Sequence, residues 1–195
     1  MKGVAMRAYT PRARSRILAT IAVLPCLAIA VSAAAQGGKT ELGSSLGVTV
    51  ISSGGQSNTH FGVPAGVGPL SIFSPVFYAT CFTNGAVFIE PQFGVSVFSG
   101  GGGSTGSIVT LVGQVGVLTH AGQSSSPYLA VSGAFQRVGG GSSSTMGVGL
   151  GGELGYRSAI RSNLALRVNV RGRRWFSDFA DTNEFGFGLG LGAVL

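Results

Sequence analysis

The chain is short of charge, of cysteine and, beyond its first residues, of long apolar runs. Lys, Arg, Asp and Glu make up only 10% of the 195 residues, and 45% are apolar. That balance is too apolar for a disordered polar tail. There are two cysteines, and only Cys81 lies outside the N-terminal segment. No internal disulfide can then form in the rest of the chain, and the lone thiol is expected to be buried and inert. After residue 35 no apolar run reaches the about 20 residues that a transmembrane helix needs. If such a chain lives in a membrane, it must close strands on themselves. Proline shows no period, which excludes collagen, and 34 glycines are too many for a helical fold.

What is present begins with a basic leader. Lys2, Arg7, Arg12, Arg14 and Arg16 occur with no acid, residues 17–31 carry no charge, and Ser32-Ala33-Ala34-Ala35-Gln36 follows. A basic start, a short apolar run and small residues describe a secretory signal peptide, with cleavage expected after Ala35. The run is short for a bilayer and contains Pro25. Cys26 follows Pro25, where a lipid-attachment motif wants Gly or Ala. Residues 36–195 are left as one domain. It keeps Lys39 and seven arginines against Glu41, Glu90, Glu153, Asp178, Asp181 and Glu184, eight cations to six anions, a net +2. The basic excess belongs largely to the leader, so it is no nucleic-acid footprint.

Alternation dominates the domain. In Phe185–Leu195, Phe185, Phe187, Leu189, Leu191, Ala193 and Leu195 share one parity, and glycines fill most of the other. A period of two means a strand with two unlike faces. A glycine face suits a narrow barrel interior crowded by neighbouring side chains, with the apolar face in lipid. In Leu164–Phe176, Leu164, Leu166, Val168 and Val170 alternate with Arg167, Asn169, Arg171 and Arg173. An arginine facing lipid at mid-bilayer costs about 2–4 kcal/mol, so these three must face inward. Arg174 has the lipid parity but lies near the strand end, where it can snorkel. Trp175 and Phe176 follow where an aromatic girdle belongs.

Thr145–Arg157 turns Met146, Val148, Leu150, Leu154 and Tyr156 one way and Glu153 and Arg157, with glycines, the other. Taking Ser158–Ser162 as its link to the next strand sets Tyr156 opposite Leu164 and Glu153 opposite Arg167, an opposite-charge cross-strand pair. Val87–Ser99 puts Glu90 and Gln92 on the inner face. Ser107–His120 does the same for Thr110 and Gln114, and Leu42–Ile51 faces Leu42, Leu46, Val48 and Val50 outward. Tyr128–Val138 does not declare a face. Thr59–Val63 looks extended, Pro64–Pro69 breaks it, and Thr83-Asn84-Gly85 is a hairpin turn. We read this stretch as one limb interrupted by a loop.

The limbs, about 42–52, 74–82, 86–99, 107–120, 127–138, 145–157, 163–176 and 184–195, predict an all-β, eight-stranded antiparallel up-and-down transmembrane barrel. An even count places both termini on the periplasmic side. The expected interior polar network comprises Glu90, Glu153, Arg167, Arg171 and Arg173.

The leader, the glycine-rich alternating strands and the C-terminal alternation resemble the OmpA/OmpX-like family of small outer-membrane barrels over essentially the whole mature chain. Family members tend to end in an aromatic residue read by the barrel-insertion machinery, whereas this chain ends in Leu195. The resemblance implies outer-membrane lipid as the surroundings, that machinery as an assembly partner, an interior filled by side chains, and structural, adhesive or envelope-interaction roles. It carries over no functional residue.

Other readings find less support. Gly147–Gly152 matches G-x-G-x-x-G, but it lies inside a strand and lacks the βαβ context of a dinucleotide site. His60 and His120 lack a nearby sequence carboxylate or a recognisable nucleophile motif, so no catalytic residue, cofactor or metal site is assigned. Asp178, Asp181 and Glu184 read as a solvated acidic loop rather than a calcium site. An anion-preferring pore lined by the arginines is the main alternative. A secreted, lipocalin-like barrel would need the opposite arrangement, apolar inside and polar outside.

Overall fold

Strict two-residue alternation along the chain produces strands with a bulky or charged face and an aliphatic face, and the wall they form closes on itself. The computed structural model describes residues 39–61, 76–83, 85–99, 105–140 and 143–195. The leader, its cleavage site and the Pro64–Pro69 interruption lie outside the described residues. The strands are β1 (Thr40–Ser53), β2 (Gln56–Phe61), β3 (Val76–Thr83), β4 (Val87–Ser99), β5 (Thr105–Leu118), β6 (Ser125–Gly140), β7 (Ser143–Arg161), β8 (Leu164–Ser177) and β9 (Thr182–Val194).

All pairings are antiparallel, and consecutive strands pair from β3 through β9. β1 closes the wall against β9 from Glu41↔Val194 to Ser53↔Thr182. On its other side β1 meets β3 through Thr40–Ser45 and β2 through Val48–Ser53. Short β2 and β3 therefore lie end to end along one neighbour and share one stave. The result is a closed eight-stranded antiparallel barrel, with the interrupted limb read from the sequence as its second stave. Ten staves would need a further partner for β2; among the described residues it pairs with β1.

Turns set the strand lengths. Gly54 and Gly55 both have positive φ, 57° and 80°, the requirement of a tight type I′ hairpin that glycine meets without strain. Ser53 pairs with Gln56, so this connection is only two residues wide. The β7–β8 hairpin is similarly tight: Arg161 pairs with Leu164, and Ser162–Asn163 alone make the turn. A bulge between Ala159 and Arg161 absorbs the odd residue. This corrects the register expected for Glu153. Its partner is Arg171, not Arg167, and Tyr156 lies across from Val168. The polar segment after Arg157 is paired strand instead of loop. The slip is four residues, an even number, so Glu153 and the alternating residues Leu164–Arg173 stayed on their expected faces.

Outward positions carry the aliphatic and aromatic side chains: Leu150 is 65% exposed, Val131 67% and Phe185 62%. They recur around the wall with Leu46, Phe93, Val115, Val170 and Leu189. A continuous apolar surface of this kind is foreign to a water-soluble monomer and suits hydrocarbon. Interior positions hold the glutamates and arginines between two aromatic clusters. Near the chain termini, Phe82, Phe88, Tyr128 and Ala130 pack with Leu118. At the opposite end Val112, Ala134, Trp175 and Phe179 pack with Val138.

Candidate functional site: the interior polar network

The interior is narrow because glycine lines much of it, and each glycine admits a neighbour's side chain. A Cβ on Gly155 would strike the Tyr128 ring, and one on Gly188 the Asn169 amide. The space so left is filled by four glutamates and four arginines in two groups.

The group nearer the termini centres on Arg167, which is 4% exposed. Its Nε donates to Glu41 Oε1 at 2.7 Å, its Nη1 pairs with Glu90 Oε2, and its Nη2 donates to Thr80 Oγ1 at 2.7 Å. Its guanidinium also lies over the Tyr78 ring at 4.7 Å. Arg157 Nε reaches the other oxygen of Glu41 at 2.7 Å, and Tyr78 donates its hydroxyl to Oε1 at 3.1 Å. Glu90 also accepts from Gln92 and Gln114, each at 2.8 Å, and from Thr80. One guanidinium thus joins β8 to β1, β3 and β4.

The second group lies toward the other end. Glu184 accepts from Arg171 Nε at 3.0 Å, Arg173 Nη1 at 3.2 Å and Trp175 Nε1 at 3.0 Å. Arg171 Nη2 donates to Thr49 at 3.0 Å, and Arg173 lies 5.5 Å from the Trp175 ring centre. Glu153, between the groups, accepts from Tyr128 Oη at 2.6 Å and Asn169 Nδ2 at 3.0 Å.

The five residues singled out from sequence all face inward, and the one pairing expected among them, Glu153 with Arg167, does not form. Glu90 meets Arg167. Arg171 and Arg173 meet Glu184. Glu153 has neutral donors. Glu41, Arg157 and Glu184 were missed as network members. Parity could have found Glu41, one residue before outward Leu42, and Glu184, one before outward Phe185. Trp175 also departs from expectation. It has the parity of the arginines, is 3% exposed and bonds Glu184, so it is an interior residue; Phe176 alone points outward there.

The three acids expected to form a solvated loop diverge. Asp178 Oδ2 accepts from the Met146 amide at 2.9 Å, exposed Asp181 pairs with Arg174 at 3.0 Å, and Glu184 turns inward. Among the described residues no group of three His, Cys, Asp or Glu could hold a metal ion. Between Asp178 and Asp181, Phe179 folds into the barrel mouth against Trp175, with ring centres 6.0 Å apart and edge-on. Exposed His120 bonds Thr119 Oγ1 through Nδ1 at 3.0 Å, and its amide donates to Ser126 Oγ. A histidine so placed has a hydroxyl beside it and no carboxylate among these partners.

No protein-family model and no curated protein matches the chain. Solved structures do. Neisserial surface protein A aligns with a TM-score of 0.60 at 14% identity, over 79% of this chain and 96% of that one. Ail, the attachment invasion locus protein of Yersinia pestis, crystallised with the heparin analogue sucrose octasulfate, gives 0.57 at 11%, over 81% and 99%. The outer membrane protein OprG of Pseudomonas aeruginosa gives 0.52 at 13%, over 81% and 96%. The fold is that of small outer-membrane β-barrels.

Proposed function

We propose that this chain is an exported outer-membrane barrel with a structural or surface-interaction role in the cell envelope, and that it is neither an enzyme nor an open pore. The observation that carries the reading is the filled interior. Four glutamates and four arginines, bonded to one another and to neutral donors, occupy the barrel between two aromatic clusters. Eight strands leave room for little beyond such side chains. The apolar outer face supports residence in lipid, and the leader supports export with cleavage after Ala35. The attachment role in the name of Ail supports surface interaction as the finer reading for a barrel of the same fold.

Conductance of the refolded chain in planar bilayers tests the plug. The expected result is no stable opening in the nanosiemens range. Stable openings that favour anions would replace this reading with the arginine-lined pore. Carbonate or urea washing of the envelope tests residence in the membrane, since a secreted barrel would be released into the soluble fraction.

A further inference from the structure

The chain has six acidic side chains, and none of them pairs with Arg137. Glu41, Glu90, Glu153 and Glu184 face the interior. Asp181 pairs with Arg174, and Asp178 gives its carboxylate to the Met146 amide. Arg137 stands opposite Met146 on β6, and its neighbour Gln136 turns inward to Thr110. Arg137 therefore has the outward parity of Val131 and Phe135. Its Nε is buried with no hydrogen-bond partner, so the side chain lies along the apolar wall.

Arg174 is a second outward arginine in this sector. Each lies three residues from the end of its strand remote from the chain termini, Arg137 before Gly140 and Arg174 before Ser177. Only β7 stands between their strands, a lateral separation of about 10 Å. The pair of Arg174 with Asp181 is 49% and 85% exposed on its two sides. Pairs so exposed contribute little, and a phosphate can compete for that guanidinium.

Toward mid-wall from these arginines the outer face is bare. Gly113 stands opposite Gly133, and Gly152 opposite Gly172. A Cβ added at Gly113, Gly133 or Gly172 would meet nothing within 4 Å. Gly133 and Arg137 share β6, and Gly172 and Arg174 share β8. Exposed Val131 and Leu150 project beside the glycines. The result is a shallow depression across β5, β6, β7 and β8 with a guanidinium beyond it on two of these strands.

We propose that this sector holds one lipid with a net-anionic phosphate headgroup, an inference that rests on the membrane residence proposed above. The phosphate lies between Arg137 and Arg174, and an acyl chain lies along the glycine depression. Guanidinium meets phosphate through paired N–H···O bonds, a fit that an ammonium lacks. The glycines supply the room that a leucine or valine would close.

Native mass spectrometry of the refolded chain in a neutral detergent tests this, with phosphatidate or phosphatidylcholine of the same acyl chains added. One phosphatidate should be retained under conditions that strip phosphatidylcholine. Arg137→Gln should lower its affinity about tenfold, the scale of one charged hydrogen bond. Gly133→Leu changes no charge and enters open space, so it should fold and still weaken retention. Arg161→Gln, at the opposite end of the barrel, should leave retention unchanged. Equal retention of the two lipids, displacement by excess inorganic phosphate, or retention that survives both Arg137→Gln and Gly133→Leu would each overturn the proposal. A chain that resists carbonate washing yet retains no phosphatidate loses this site and keeps its membrane residence.

Discussion

Arg167 and Glu41 are 126 positions apart in the chain and 2.7 Å apart in the barrel. The same guanidinium pairs with Glu90, so two buried carboxylates depend on one cation. Removing one partner of a buried pair strands the remaining charge and typically costs about 3–5 kcal/mol. Arg167→Leu is expected to lower the urea midpoint of the folded barrel accordingly, because Arg157 can serve only Glu41. An unchanged midpoint would show that the pairing contributes nothing. Gly147 acts through space. A Cβ there would run into the Phe179 ring, so Gly147→Val should expel that ring from the mouth. The edge-on contact with Trp175, worth about 0.5–1.5 kcal/mol beyond burial, would go with it. Trp175 emission should shift to the red and become more quenchable by acrylamide; emission like that of the parent chain would mean that Phe179 does not cover it.

At the level of strands, the β7–β8 ladder separates what could be read from sequence from what could not. Parity was legible because alternation of Arg167, Asn169, Arg171 and Arg173 with leucine and valine admits only one facing in lipid. Register was not legible, since Ser158 to Ser162 has the composition of a loop whether or not it pairs. The structure extends β7 to Arg161 and turns in two residues. A double-cysteine test in a Cys81→Ser background distinguishes the alternatives. Leu154→Cys with Val170→Cys should oxidise to a disulfide, because these residues are direct partners and opposite Cβ atoms lie about 4.5–5.5 Å apart. Leu154→Cys with Leu166→Cys, the pair demanded by a five-residue loop, should not. The reverse outcome would restore Glu153 to Arg167. The interior partners were hidden for a related reason: parity gives the facing of Glu41 and Glu184, but their arginines come from other staves, and alternation along one strand does not encode which staves meet.

For the molecule as a whole, charge is sorted by surface. The interior holds Glu41, Glu90, Glu153 and Glu184 with Arg157, Arg167, Arg171 and Arg173, four against four. The net +2 of residues 36–195 therefore resides outside the interior, on Lys39, Arg137, Arg161 and Arg174 against Asp178 and Asp181. Sorting of this kind makes the facing of the wall nearly irreversible, because inverting it would place several arginines in hydrocarbon at about 2–4 kcal/mol each. The same sorting explains why fold was readable and task was not: the alternation answers to the membrane, while a surface role would depend on the connections between strands, whose glycine- and serine-rich sequences name no ligand. Nitroxide labels at Val131, Val170 and Leu189, placed one at a time in bilayer-reconstituted Cys81→Ser protein, test the sorting most directly. All three should collide freely with oxygen and be shielded from a water-soluble nickel chelate. Dominant nickel collisions at these positions, or a folded chain that stays monodisperse without detergent or lipid, would contradict it.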